Sequence, residues 1–188
     1  MPTGQYHLFL MRRSAVEFLE AAKRLDEFTH GQFSNQTYLL RLTGFELLLK
    51  LVYELSNDAQ APETHRYNEI FERIPSNVRE QMRTYVQTEL TSNGHESSVC
   101  GVLHDLMENF TTMRYLYDQY RDTTKERYTR LGEQWIEKGA PELSARVQFH
   151  PAALEAFIGM MLNMTEPVQQ EQYEFSDDST WATHRNGE

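Results

Sequence analysis

The sequence predicts an all-α protein, an antiparallel bundle of helices with an additional helix towards the C-terminus. Three observations predict it. Along most of the 188 residues, apolar side chains recur at spacings of three and four, the period of a helix with one buried face. One segment, TYLLRLTGFELLLKLVYELS (37–56), is apolar around most of its circumference, as a helix at the centre of a domain has to be. Between the periodic segments lie THGQFSNQ, NDAQAPE and TSNGHESS, clusters of Gly, Pro, Ser, Asn and Thr that interrupt helices.

The elements follow in order. Ser14 and Glu17 fit a capping box, and a first helix is expected from there to about Phe28, with Val16, Leu19, Ala22 and Leu25 spaced by threes. The central helix follows, its polar side reduced to Thr43, Glu46, Lys50 and Glu54. Gly44 falls on its apolar side and predicts the close approach of a neighbouring helix, at about 1 kcal/mol of helix propensity. A short helix is expected over 64–73, with Tyr67, Ile70, Phe71 and Ile74 on one side and Pro75 ending it. Another starts at Ser76 or Asn77, with Val78, Met82, Tyr85 and Val86 inward. GVLHDLMENFTTMRYLYDQYRD (101–122) reads as one helix, its seam formed by Leu103, Leu106, Phe110, Met113, Tyr117 and Tyr120. Its expected partner is the 37–56 helix. TKERYTRLGEQWIEKG is read as helical, with Tyr128, Leu131 and Trp135 together. APELSARVQF reads as irregular or as a short strand. Pro151, at a good first-turn position, opens the last helix, PAALEAFIGMMLNM. Residues 1–164 are thus expected to form one helical domain, and 165–188 an acidic tail that is mobile or docks weakly.

Composition narrows the function. The net charge of −10 and the absence of any run of five Lys/Arg argue against broad binding of duplex DNA, which needs clustered cations. Cys100 is the single cysteine, so neither an intramolecular disulfide nor a cysteine zinc site is available. His95 and His104 are nine residues apart with no second ligand one turn away, and no metal site is expected. There is no Gly-rich phosphate loop and no Gly-x-Ser-x-Gly elbow, and no cofactor is expected. No apolar stretch approaches the ~20 residues of a membrane span. MPTGQYHLFLMRRS places its charges after its short apolar run, unlike a signal peptide, so a cytoplasmic protein with no membrane partner is expected.

Three stretches carry a resemblance. GFELLLKLVYEL, with its Glu46 and Lys50, is similar to the first core helix of the HEPN superfamily, helical bundles found in bacterial toxin, defence and RNA-processing proteins. THRYNEIFERIPSNVREQM resembles the His, aromatic, Phe and Leu-Pro stretch that follows it there. HDLMENFTTMRYLYDQY resembles the second core helix, with its Phe…Arg-Tyr-x-Tyr-Asp/Glu ending. Together they cover roughly residues 36–120.

The resemblance implies a HEPN-like bundle, a homodimer, and a defence, stress or toxin–antitoxin setting. Ribonucleases of the superfamily carry Arg-x4-6-His on a core helix and cleave RNA without metal at a site shared across the dimer. Arg114 stands where the arginine is expected, but Asp118, Gln119, Tyr120 and Arg121 offer no histidine. Arg146 with His150 is one residue too short and precedes a helix rather than lying in one. The leading expectation is therefore a non-catalytic module binding a partner protein, a nucleotide or RNA. The alternatives are a divergent metal-independent ribonuclease using Arg114 with His65 or His104, and a structural dimerisation domain.

The candidate binding residues are Arg114, Glu46, Lys50, His65, Asp118 and Tyr117. Arg114, at the edge of the seam, needs a partner if it is desolvated. A bond to Glu46 or to a carbonyl with Tyr117 packed against it would make it structural, whereas an open fork would bind phosphate or carboxylate. Glu46 and Lys50 are either an i,i+4 pair or the wall of a pocket facing Arg114. His65 either fixes its loop or acts as a general base. The aromatic stripe of Tyr115, Tyr117, Tyr120, Tyr128 and Trp135 is core or a stacking surface for bases.

Overall fold

The structure, a computed structural model, describes residues 4–29, 34–92, 98–139 and 147–170. These residues are helical or irregular, with no strand among them. Helix α1 spans Gln5–Phe28 and α2 spans Asn35–Asn57. The pair is antiparallel, since His7 meets Glu54 at one end and Asp26 meets Arg41 at the other. Ser34 starts α2 by accepting a bond from the Thr37 amide at 3.0 Å, and Asp58 ends it in the left-handed region at φ 48°.

α1 begins about ten residues before the expected capping box. Leu8, Ala15 and Ala22 are buried at intervals of seven, one continuous stripe along α2, so the packing face extends through the N-terminal apolar run. Ser14 lies inside the helix, and Glu17 pairs with Arg13 on its surface. Gly44 is where the two helices come closest. A Cβ there would lie 2.8 Å from Leu19 Cγ and 3.1 Å from the Ala15 carbonyl oxygen.

Helices α3 (Tyr67–Glu72), α4 (Ser76–Ser92) and α5 (Val99–Thr112) complete the first half of the bundle. A 3-10 stretch, Met113–Tyr120, follows α5, then α6 (Lys125–Glu137), α7 (Pro151–Met164) and the short α8 (Pro167–Gln170). The core centres on Phe45, whose ring meets Tyr67 of α3 at 5.0 Å and Phe157 of α7 at 5.8 Å. Arg41 of α2 bridges Asp26 of α1 at 2.6 Å and Glu155 of α7, tying three helices at one level. α4 packs on α7, and α8 lies against α1.

The structure corrects the expectations for 101–122 and for Tyr85. The stretch read as one helix over 101–122 leaves α geometry after Thr112, and Tyr115 sits at φ −129°, ψ 40°, outside the helical region. The seam holds through Leu103, Leu106, Phe110 and Met113, but Tyr117 is exposed; the Tyr120 side chain lies outside the described residues. α5 packs on α2 as expected and also on α3, while α2 packs most extensively on α1. Tyr85, expected inward, is 42% exposed beside a groove of about 770 Å³ between α4 and α7. The expected irregular or strand segment lies partly at 140–146, and most of the expected tail at 171–188, both outside the described residues. No helix among the described residues is long and apolar enough to cross a membrane.

Candidate functional site

α2 buries two carboxylates, Glu54 (3% exposed), which accepts from the Ala61 amide and meets His7, and Glu46 (7% exposed). A buried carboxylate is tolerated only when paired. Lys50, one turn on, donates to Glu46 at 2.9 Å. His65, in the loop before α3, meets both carboxylate oxygens through Nδ1, at 2.8 and 2.9 Å. The i,i+4 spacing puts Glu46 and Lys50 on one face, and the turn at Pro62–Thr64 brings the histidine back over that face.

Phe110 is the floor on the other side. Its ring lies 5.6 Å from the His65 ring and 6.2 Å from that of Tyr67. The Arg114 guanidinium carbon sits 3.9 Å above its centroid. A cation over an aromatic ring at an exposed site is held by about 0.5–1 kcal/mol without its charge being neutralised. Arg114 is exposed and makes no ion pair among the described residues, so its donors remain available. It is not bonded to Glu46, because Lys50 and His65 occupy that carboxylate and because the 3-10 turn carries residue 114 off the wheel position of an unbroken helix.

The structure therefore gathers Glu46, Lys50, His65 and Arg114 around Phe110. It does not gather the other two candidates. Tyr117 is exposed and packs edge-on against Tyr115 at 6.3 Å, and Asp118 pairs with Arg121 at 2.7 Å on the surface. His104 lies on the exposed side of α5.

Sequence reasoning missed the role of Tyr67, assigning it only to the core. Its ring is fully buried, yet its hydroxyl has no partner in hydrogen-bonding geometry. Burial, and then the Glu46 carboxylate, push its phenol well above the ordinary tyrosine value, with Arg114 opposing them. A buried orphan hydroxyl beside a paired carboxylate is a signal of the site, but no pattern in one sequence carries it.

A second polar cluster was also missed. His150, at φ 45° before α7, places Nε2 2.7 Å from Asp105 Oδ2 of α5. The Tyr38 hydroxyl donates to the Phe149 carbonyl at 2.8 Å, and Asn109 Nδ2 donates to that hydroxyl at 3.1 Å and to the Gln148 carbonyl at 2.7 Å. Burial holds the Tyr38 proton well above the usual phenol value; the Asn109 bond opposes this and Asp105 adds to it. These bonds strap residues 148–150 onto α2 and α5. Arg146, the earlier candidate partner of His150, lies outside the described residues.

Chemically, the Phe110 cluster offers two things. If His65 Nδ1 donates to Glu46, the imidazole is fixed in the tautomer whose Nε2 is an acceptor, on a side chain 60% exposed. Arg114 offers a planar fork for an anion. No group of three His, Cys, Asp or Glu suited to a metal occurs among the described residues. Comparison with protein-family models, with curated proteins and with solved structures finds no match to this chain.

Proposed function

We propose that the chain is a HEPN-like helical module that binds RNA or a nucleotide through Arg114, in a homodimer serving a bacterial defence, stress or toxin–antitoxin role. The setting and the dimer come from the resemblance of 36–120 alone. The observation that carries the binding is the Arg114 guanidinium, exposed, with its central carbon 3.9 Å from the Phe110 ring centroid and free of any carboxylate among the described residues. A cation kept for structure alone is normally neutralised; one kept oriented and open suits a phosphate.

The His65–Glu46 pair favours a second reading, in which the module cleaves RNA without metal. A carboxylate-oriented imidazole is the form in which histidine accepts a proton, and it flanks the same ring as Arg114. His65 is far from Arg114 in sequence, so this reading needs a site rebuilt from two elements.

One experiment separates the readings. Labelled single-stranded RNA and labelled ATP are titrated with the wild type, Arg114→Ala and His65→Gln, with EDTA present, and the RNA is then run on a gel. Binding predicts that Arg114→Ala weakens association by tenfold or more, while His65→Gln binds within a few-fold and nothing is cut. Cleavage by the wild type, lost in His65→Gln, selects the enzyme. Equal affinity of Arg114→Ala and wild type would leave a structural dimerisation domain as the better account.

A further inference from the structure

His65 and Arg114 come from different elements and meet the same ring. The guanidinium carbon lies 3.9 Å from the Phe110 centroid and the imidazole centre 5.6 Å from it, so the two are within about 10 Å of each other. The charges of Glu46 and Arg114 are both felt at the Tyr67 hydroxyl, which puts the guanidinium on the side of Phe110 where Glu46 holds the histidine. A phosphate hydrogen-bonded on both flanks spans about 8 Å between the two nitrogens it joins. One phosphate therefore fits between the two side chains. Lys50, Arg66 and Arg121 are the cations closest along the chain to Glu46, His65 and Arg114, and they are paired with Glu46, Glu69 and Asp118. A row of phosphates has little here to hold it.

The histidine selects the kind of phosphate. Its Nδ1 faces both oxygens of a carboxylate, which accept only, so Nδ1 carries the proton and Nε2 is an acceptor. An acceptor nitrogen facing a fully ionised oxygen is repelled; the pair is satisfied when one proton lies between them. A terminal phosphate can hold that proton, since its second ionisation falls near pH 6. An internal phosphodiester has no second ionisation and gains from Arg114 alone. The charged and titratable groups around the imidazole are Glu46 and Lys50 of α2, Tyr67 of α3 and Arg114 of the 3-10 stretch, with Arg66 next in the chain. α5 meets it through Phe110.

We propose that this site takes a terminal phosphate, the end of a nucleotide or of an RNA strand, in preference to an internal phosphodiester. Arg114 forks onto two of its oxygens, and His65 Nε2 shares one proton with a third. The inference rests on the reading that Arg114 binds phosphate, and it names which phosphate. Tyr115 and Tyr117, 56% and 68% exposed on the same turn as Arg114, give the attached base a face on which to stack. The bound state holds a proton that the free dianion lacks, so affinity is lost as the pH rises above the second ionisation of the phosphate.

The test titrates the full chain with AMP, 3′,5′-cyclic AMP, inorganic phosphate, and one RNA oligomer made with a 5′-phosphate or a 5′-hydroxyl. AMP should bind about threefold or more tighter than cyclic AMP, and the 5′-phosphorylated RNA tighter than its hydroxyl form by a like factor. His65→Gln should weaken AMP by about that factor and leave cyclic AMP unchanged, whereas Arg114→Ala should abolish both. Wild-type affinity for AMP should fall from pH 6.5 to 8.5, and His65→Gln should show no such fall. Should His65→Gln melt below the wild type, the wild-type pH profile decides alone, and a flat profile overturns the proposal. Equal binding of AMP and cyclic AMP, both lost in Arg114→Ala, would overturn it and leave binding through Arg114 standing. Binding of AMP and RNA unchanged in Arg114→Ala would overturn both. Inorganic phosphate competing as well as AMP would overturn a nucleotide or RNA end as the source of the phosphate.

Discussion

Two buried tyrosines show how much depends on the partner of a single hydroxyl. Tyr38 donates to a carbonyl of the strap and accepts from Asn109, whereas the Tyr67 hydroxyl is buried with no partner in bonding geometry. Removing a satisfied hydroxyl takes one bonding partner from the Phe149 carbonyl and one from the Asn109 amide; removing an orphan takes none. Tyr38→Phe should therefore cost about 1–3 kcal/mol in urea unfolding, and Tyr67→Phe less than 1 kcal/mol. An equal loss for Tyr67→Phe would reveal a bond to Glu46. Both phenols keep their protons above the ordinary value in the fold. The unfolded chain ionises them near pH 10 while the fold does not, so their contribution is full below about pH 10 and is lost as the pH rises beyond it. Urea midpoints should fall between pH 9 and 11, and less steeply in Tyr38→Phe/Tyr67→Phe.

At the scale of elements, the informative places are a contact and a break. The contact is Gly44, where a methyl group would press into Leu19 and to 3.1 Å of a backbone oxygen of α1. Leu19 can turn aside, but the backbone of a packed helix cannot. Gly44→Ala gains about 1 kcal/mol of helix propensity and incurs about 1–3 kcal/mol of overpacking. The expected result is a net loss of stability, larger still for Gly44→Val, read from the denaturant midpoint. A rise in midpoint for Gly44→Ala would mean that α1 and α2 are less closely apposed. The break is the passage from α5 into the 3-10 turn. It lifts Arg114 and Tyr117 out of a seam that a straight helix would have buried, and so it separates the part of 101–122 that is core from the part that faces solvent.

For the molecule as a whole, the charge balance limits what Arg114 can hold. With a net charge of −10, and with Lys50 paired to Glu46 and Arg121 to Asp118, few phosphates can be met at once. Each phosphate on a single strand contributes about −0.7 to the slope of log K against log salt. RNA binding should show a slope of about −1, and affinity for duplex DNA should be too weak to measure at 0.15 M salt. A slope steeper than −3 would point to a basic surface formed only by assembly.

The helical character, the central place of 37–56, the turn at Pro75 and the start at Pro151 were all legible, because periodicity and helix-breaking residues are local properties of the chain. Gly44 was legible as a close approach, but not as an approach to α1. The start of α1 was misplaced because a Ser-x-x-Glu pattern also fits the surface of a helix already under way. Of the candidate residues, Glu46 and Lys50 could be seen as neighbours from their spacing alone. That His65 would close over them, that Phe110 would carry both His65 and Arg114, and that Tyr67 would leave a hydroxyl beside Glu46 required the packing of α2, α3 and α5. Glu46 and His65 are 19 residues apart in the chain, and the polar cluster at Tyr38 joins residues 71 apart, Tyr38 and Asn109. The sequence by itself determined which segments are helical and which faces are apolar, since both follow from the chemistry of nearby side chains. Only the tertiary structure decided which polar groups share a site, because a buried charge is paired by whatever the fold brings within about 3 Å of it.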